Sequence, residues 1–166
     1  IIDINTNCTG FITALTLASD RMRVDHTLKY ALVIGVELHT RYINPKDRET
    51  AIFFSDGAGV ALLGKVEKNK GVINSSFLTD SSTYEAVRFR GGGSSFPLVN
   101  RVFDPGIDFI EMNGLATWKQ AITNLPKVIK ELLIKSDLKI EDVDFCIFHQ
   151  ANLNLILNYL NKLFIN

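Results

Sequence analysis

Two residues in this chain stand where a nucleophile and its proton partner would stand. Cys8 lies between an apolar stretch of strand type, Ile1–Asn7, and a helical run that begins beyond Thr9-Gly10. A thiol at a helix N-terminus meets unpaired N–H groups and the positive end of the dipole, both of which favour the thiolate. A thiolate so placed is competent for acyl transfer. The same position also suits a small buried cysteine, and the residue type leaves both readings open. His149 follows the apolar run Phe145–Phe148 and precedes a second helical run. Its imidazole is placed either to polarise or deprotonate a substrate, or to satisfy a local hydrogen bond. His26 and His39 sit among charged residues and take no role.

Other chemistries find little support in the residue pattern. There is no CxxC, no HxxxH and no cluster of carboxylates at ligand spacing, so no metal is expected. Gly91-Gly92-Gly93-Ser94-Ser95 lacks the Lys-Ser/Thr ending of a phosphate loop and reads as a flexible loop. Eighteen basic residues balance eighteen acidic ones, and no basic stripe is interleaved with aromatics, which argues against a nucleic-acid partner. No apolar run approaches the roughly 18 residues needed to cross a bilayer, so no membrane partner is expected. Two cysteines make no disulfide framework and point to a reducing, cytoplasmic setting. With 46% hydrophobic and 22% charged residues, the 166-residue chain is of globular type and long enough to bury about 70% of its unfolded surface.

The elements that must position Cys8 and His149 follow from periodicity. Ile1–Asn7 reads as a strand, residues 8–22 as a helix and Tyr30–Val36 as a strand covered on both faces, together a right-handed βαβ unit. A polar loop, 37–50, leads to two strands, Ala51–Phe54 and Val60–Leu63, around a tight turn at Ser55-Asp56-Gly57-Ala58-Gly59. Gly71–Leu78 suggests another strand, and residues 79–106 a long turn-rich loop. Met112–Ser136 is helical, with a kink expected at Pro126. Phe145–Phe148 reads as a brief buried strand and Asn152–Phe164 as a helix. Alternating strands and helices give an α/β protein.

Four ordered motifs carry a resemblance. Asp3-Ile4-Asn5 with Cys8-Thr9-Gly10-Phe11 resembles the nucleophile segment of β-ketoacyl-acyl carrier protein synthase III, the initiating condensing enzyme of fatty acid synthesis. Asn44-Pro45-Lys46-Asp47-Arg48, followed by Phe54-Ser55-Asp56-Gly57-Ala58-Gly59, is similar to that family's DPTDR and FGDGAG stretches. Met112-Asn113-Gly114 with Trp118 is similar to its MxG…F segment, and His149-Gln150-Ala151-Asn152 to its HQAN motif.

The resemblance implies a thiolase-like fold, layered αβαβα and present here only in part. Residues 1–75 would be the latter part of the N-terminal half. Residues 76–166 would be a linker loop and the first part of the C-terminal half. It implies the middle of a longer enzyme, little active by itself, whose further catalytic Asn (in a Gly-Asn-Thr-Ser segment) is not in this sequence. By the resemblance, Cys8 takes an acyl group from acyl-CoA, and malonyl-acyl carrier protein then loses CO2 and attacks the acyl-Cys. His149 would donate to the thioester oxygen. Arg48 would lie against the CoA adenine, Gly114 and Asn152 would line the pantetheine channel, and Trp118 would narrow its entrance. No cofactor beyond the CoA thioester is implied, and the full-length enzyme would be a homodimer. Trp118 stands where the family commonly has Phe, and Asn154 where it often has an arginine for the acidic carrier. With the Gly-Ser-rich loop, Asn154 suggests a specialised relative. Acyl transfer to an oxygen or nitrogen acceptor, or a non-catalytic CoA-binding or partner-pairing role, are the alternatives.

Overall fold

The structure, a computed structural model, describes residues 1–164, with side chains to Asn161. Helix α1, Gly10–Val24, lays Met22 and Thr16 onto strand β1, Tyr30–Leu38, where Val33 is the most buried position. Arg21 and Arg23 occupy its last turn, where cations complement the dipole, and Arg21 pairs with the C-cap residue Asp25 at 2.8 Å. Strand β2, Asp56–Gly64, pairs antiparallel with β1 from Tyr30↔Gly64 to Leu38↔Asp56. In that register Gly35 faces Gly59, and a Cβ on Gly35 would come within 3.3 Å of the Phe11 ring. The absent side chain lets α1 settle on the sheet.

The parallel βαβ unit is not formed. Ile1–Thr6 carries no strand, and among the described residues β1 has a partner on one edge only, in the antiparallel sense. A strand exists through its neighbour, and an apolar run without one stays irregular. The same reason applies to Gly71–Leu78 and Phe145–Phe148, neither of which is a strand. Residues 71–78 instead run past the end of a helix, where Asn74 Nδ2 donates to the Lys135 carbonyl (3.1 Å) and Lys135 Nζ to the Ser75 carbonyl (2.9 Å). Ala51–Phe54 is no strand either. Asp47 Oδ1 accepts from Glu49 N (3.1 Å) and Thr50 N (3.3 Å), which starts the short helix α2, Arg48–Ala51. The Asp56-Gly57-Ala58-Gly59 stretch lies within β2 rather than in a turn. Thr40 fixes Asp56 there, donating from its N–H (2.9 Å) and its hydroxyl (2.6 Å).

The Gly-Ser-rich loop is tied rather than free. Two-residue strands β3, Val87–Arg88, and β4, Glu111–Met112, close its base, with Arg88 Nε on Glu111 at 2.6 Å. Gly91 N donates to the Ile107 carbonyl (2.7 Å), and Gly92 pairs with Phe96. Arg101 grips Asp108 with two N–H groups, and a Cβ on Gly91 would lie 2.0 Å from Asp108 Oδ1. Gly91 is therefore required by close approach, not by flexibility.

Helix α3, Gly114–Ser136, is capped by Asn113, whose side chain accepts from Ala116 N at 3.0 Å. It runs on through Pro126 as one element, losing one backbone donor there. Asp137, left-handed at φ 54, ends it. The N–H groups of Asp137 and Leu138 reach back to Ile134 (3.2 Å) and Leu133 (3.0 Å). Helix α4 spans Leu153–Phe164.

The core is thin. Met22, Val33, Ile43, Ile110 and Tyr159 are the buried apolar residues among those described. The accessible surface is 12,882 Å², whereas a folded monomer of this mass would expose about 8,200 Å². Tyr30, Leu32, Ile34, Val36 and Leu38 form an open apolar face on β1, opposite the side that α1 covers. The expectation that β1 is covered on both faces is thus corrected.

Candidate active site

Cys8 sits in a single 3₁₀ turn, Asn7–Thr9, that feeds α1. The turn begins with Asn7 at φ 50, a left-handed conformation that asparagine adopts more readily than most residues. Threonines knit it together. Thr9 Oγ1 donates to the Thr6 carbonyl (2.8 Å), Thr13 Oγ1 to the Thr9 carbonyl (2.9 Å), and Thr6 Oγ1 to Thr13 Oγ1 (3.2 Å). Sequence reasoning singled out Cys8 but missed this brace. Its signal is the spacing of Thr6, Thr9 and Thr13 by three and four, one helical turn apart.

The thiol does not behave as the helix N-terminus predicts. Cys8 is exposed as a residue, yet the atoms packed around its sulfur desolvate it and push the thiol pKa up. A backbone N–H works the other way, and Glu37 at the far end of β1 adds a further upward push. Desolvation is the larger effect, so folding disfavours the thiolate. That corrects the expectation of a thiolate favoured by the helix.

His149 is exposed and lies in the irregular segment between Val143 and α4. Among the described residues its ring makes no hydrogen bond or ion pair, and no described cavity is lined by both it and Cys8. Around it the backbone is held. Gln150 Nε2 donates to the Phe148 carbonyl (2.6 Å), and Asn152 Oδ1 accepts from Asn154 N (2.9 Å) and Leu155 N (3.3 Å). Asn152 therefore serves as the cap of α4, with its oxygen committed to the helix. Asn154 is exposed on the first turn of α4.

Of the other candidates, only Gly114 lines a described depression. Gly114 at the start of α3 lines an open depression of about 610 Å³ with Glu49, Ile52, Phe53, Met112, Asn113 and Leu115. Arg48, exposed and unpaired among the described residues, precedes Glu49 on α2. A second depression of about 470 Å³ shares Asn113 and Leu115 and continues along α3 to Thr123. Trp118 is half-buried one turn into α3 and lines neither depression. Phe53 lines the first, and Phe54 packs on the His39 ring at 5.3 Å. The described residues contain no group of three metal-ligating side chains, and no described helix is long and apolar enough to cross a membrane.

Comparisons with known proteins bear on the family and the fold. The family model of 3-oxoacyl-[acyl-carrier-protein] synthase III matches residues 2–81. The β-ketoacyl-[acyl-carrier-protein] synthase III of Natranaerobius thermophilus is 37% identical over 164 residues, covering 97% of this chain and 50% of that protein. The enzyme of that name from Campylobacter concisus is 37% identical over 161 residues, covering 97% and 48%. The crystal structure of 3-oxoacyl-[acyl-carrier-protein] synthase III from Aquifex aeolicus superposes with a TM-score of 0.82 at 29% identity, over 98% of this chain and 47% of that one. The chain spans about half the length of the curated relatives it matches. Its α/β fold is thiolase-like, present in part. On the motifs around Cys8 and His149, the relatives and the superposition, the chain belongs to the 3-oxoacyl-[acyl-carrier-protein] synthase III family.

Proposed function

We propose that this chain carries the acyl-transfer centre of a decarboxylative condensing enzyme. The braced turn that presents Cys8 is the observation that carries the reading. The Cys8 sulfur attacks the carbonyl of an acyl-CoA, a C–S bond to Cys8 forms, the bond to CoA breaks, and the CoA sulfur leaves with the proton Cys8 gives up. A malonyl thioester on acyl carrier protein then loses CO2. Its C2 carbon attacks the acyl carbonyl, and the Cys8 sulfur is released as the 3-ketoacyl product forms. His149 donates an imidazole N–H to the thioester oxygen as charge develops there, a contribution of about 3 to 4 kcal/mol for a well-aimed donor.

The depression between α2 and α3 is the entry for the pantetheine arm, with Gly114 in its wall and Arg48 the neighbour in sequence of its lining residue Glu49. Trp118 lies one turn further along α3 and Asn152 at the head of α4, where each would approach the arm nearer the carrier protein. Residues 1–75 belong to the N-terminal thiolase-like half and residues 76–166 to the linker and C-terminal half. The working enzyme is a cytoplasmic homodimer that uses no cofactor beyond its CoA thioester, a setting that suits two free cysteines. Incubation with acetyl-CoA followed by intact-mass measurement tests the reading. A gain of one acyl group that disappears in Cys8→Ala supports it, and a gain that survives Cys8→Ala removes Cys8 as the carrier.

A further inference from the structure

His149 has no hydrogen-bond partner of its own among the described residues, so its direction is set by the backbone on either side. One side is the cap at Asn152. The other is Phe148, whose ring stacks on Tyr159 with centroids 6.0 Å apart and planes 27° apart. Tyr159 lies in the second turn of α4 and is only 3% exposed, the most deeply buried aromatic among the described residues. Its hydroxyl is buried and meets no partner among them. A buried hydroxyl left unpaired opposes stability, so the ring is the useful part of this side chain. Burial also holds the phenol pKa above its ordinary value, keeping the group neutral.

We infer that Tyr159 is a positioning residue for His149: its ring backs Phe148 and so fixes where the imidazole leaves the chain. The inference rests on the reading of Cys8 as acyl carrier and His149 as donor to the malonyl thioester. Those two steps separate the test, because acylation of Cys8 precedes the step that His149 serves.

The experiment uses the protein at its natural length, with Tyr159→Phe and Tyr159→Leu. Three quantities are measured: the rate of Cys8 acylation by acetyl-CoA, CO2 release from the malonyl thioester, and the melting temperature. Tyr159→Phe should match the wild type within about two-fold in both rates. Tyr159→Leu should lose about ten-fold in kcat for CO2 release, with KM and Cys8 acylation each within about two-fold. If Tyr159→Leu does not fold, Phe148→Leu removes the other ring and must show the same split. Parallel loss of acylation and CO2 release makes Tyr159 a core residue only and overturns the inference, as does unchanged CO2 release. A wild type that neither acylates at Cys8 nor releases CO2 sinks the underlying reading, a result distinguishable from failure of the stack.

Discussion

Asn7 offers the sharpest handle on how this fold presents its thiol. Its φ of 50 places it in the left-handed region, immediately before Cys8. For a residue with a Cβ that region costs roughly 1–2 kcal/mol, glycine is free of the cost, and asparagine offsets part of it through local hydrogen bonding. Asn7→Ala should therefore cost about 1 kcal/mol, and the β-branched Asn7→Val about 2 kcal/mol. A penalty of about 2 kcal/mol shifts the balance between the presented turn and extended alternatives by about 30-fold. Part of this will appear as lost stability in urea and the rest as slower acylation of Cys8, followed by time-resolved mass measurement. The expected order in both assays is Gly at least equal to Asn, then Ala, then Val. If Asn7→Val stays within about two-fold of wild type in rate and about 0.3 kcal/mol in stability, the turn does not hold Cys8 and the reasoning fails.

Four further outcomes are expected. Because desolvation raises the Cys8 thiol pKa, acylation should speed up as pH rises past the ordinary thiol range near 8.5, with no plateau at neutrality. The same shift, upward for an acid, means that the unfolded chain ionises first, so Cys8 lowers stability as pH climbs past its unfolded value; Cys8→Ser should flatten that alkaline loss in a melting series. Asp80 is held down to about 2 by the Ser82 hydroxyl and N–H, with help from Asn124 and Gln120. Its contribution is present above the unfolded value near 3.9 and is lost as pH falls toward about 2, and Asp80→Asn should remove that acid-side slope. Asn113→Ala, which strips the cap from α3, should cost about 1 kcal/mol in urea, and Asn113→Ser should restore most of it.

The three long helices, α1, α3 and α4, were legible because their signal is local; the four-residue α2 was read as loop and strand. Phe11, Leu15, Ala18 and Met22 recur at the helical period in α1, and the runs read as α3 and α4 begin and end within two residues of the observed bounds. Strands depend on a neighbour that may lie anywhere in the chain, which is why YALVIGV found one in β2 while Phe145–Phe148 found none. Ser55–Gly59 has turn composition, yet Thr40, sixteen residues earlier, holds Asp56 in the strand. Cys8 and His149 were picked out by type and junction. The electrostatics of Cys8 were not, because Glu37 and the crowding around the sulfur come from folding rather than from adjacency. Gly91 was read as freedom where the structure uses it as clearance for Asp108.

The uncovered face of β1 has a calorimetric signature. Heat capacity of unfolding measures apolar area newly wetted, and much of this chain's apolar area is wet before it unfolds. An ordinary domain of 166 residues would show about 2 kcal/mol/K. Studied alone, this one should fall well below that, with a shallow dependence on urea to match. Whatever comes to cover Leu32, Ile34 and Val36 will raise both quantities together, so docking onto that face registers as a change in thermodynamic slope even where no spectrum moves.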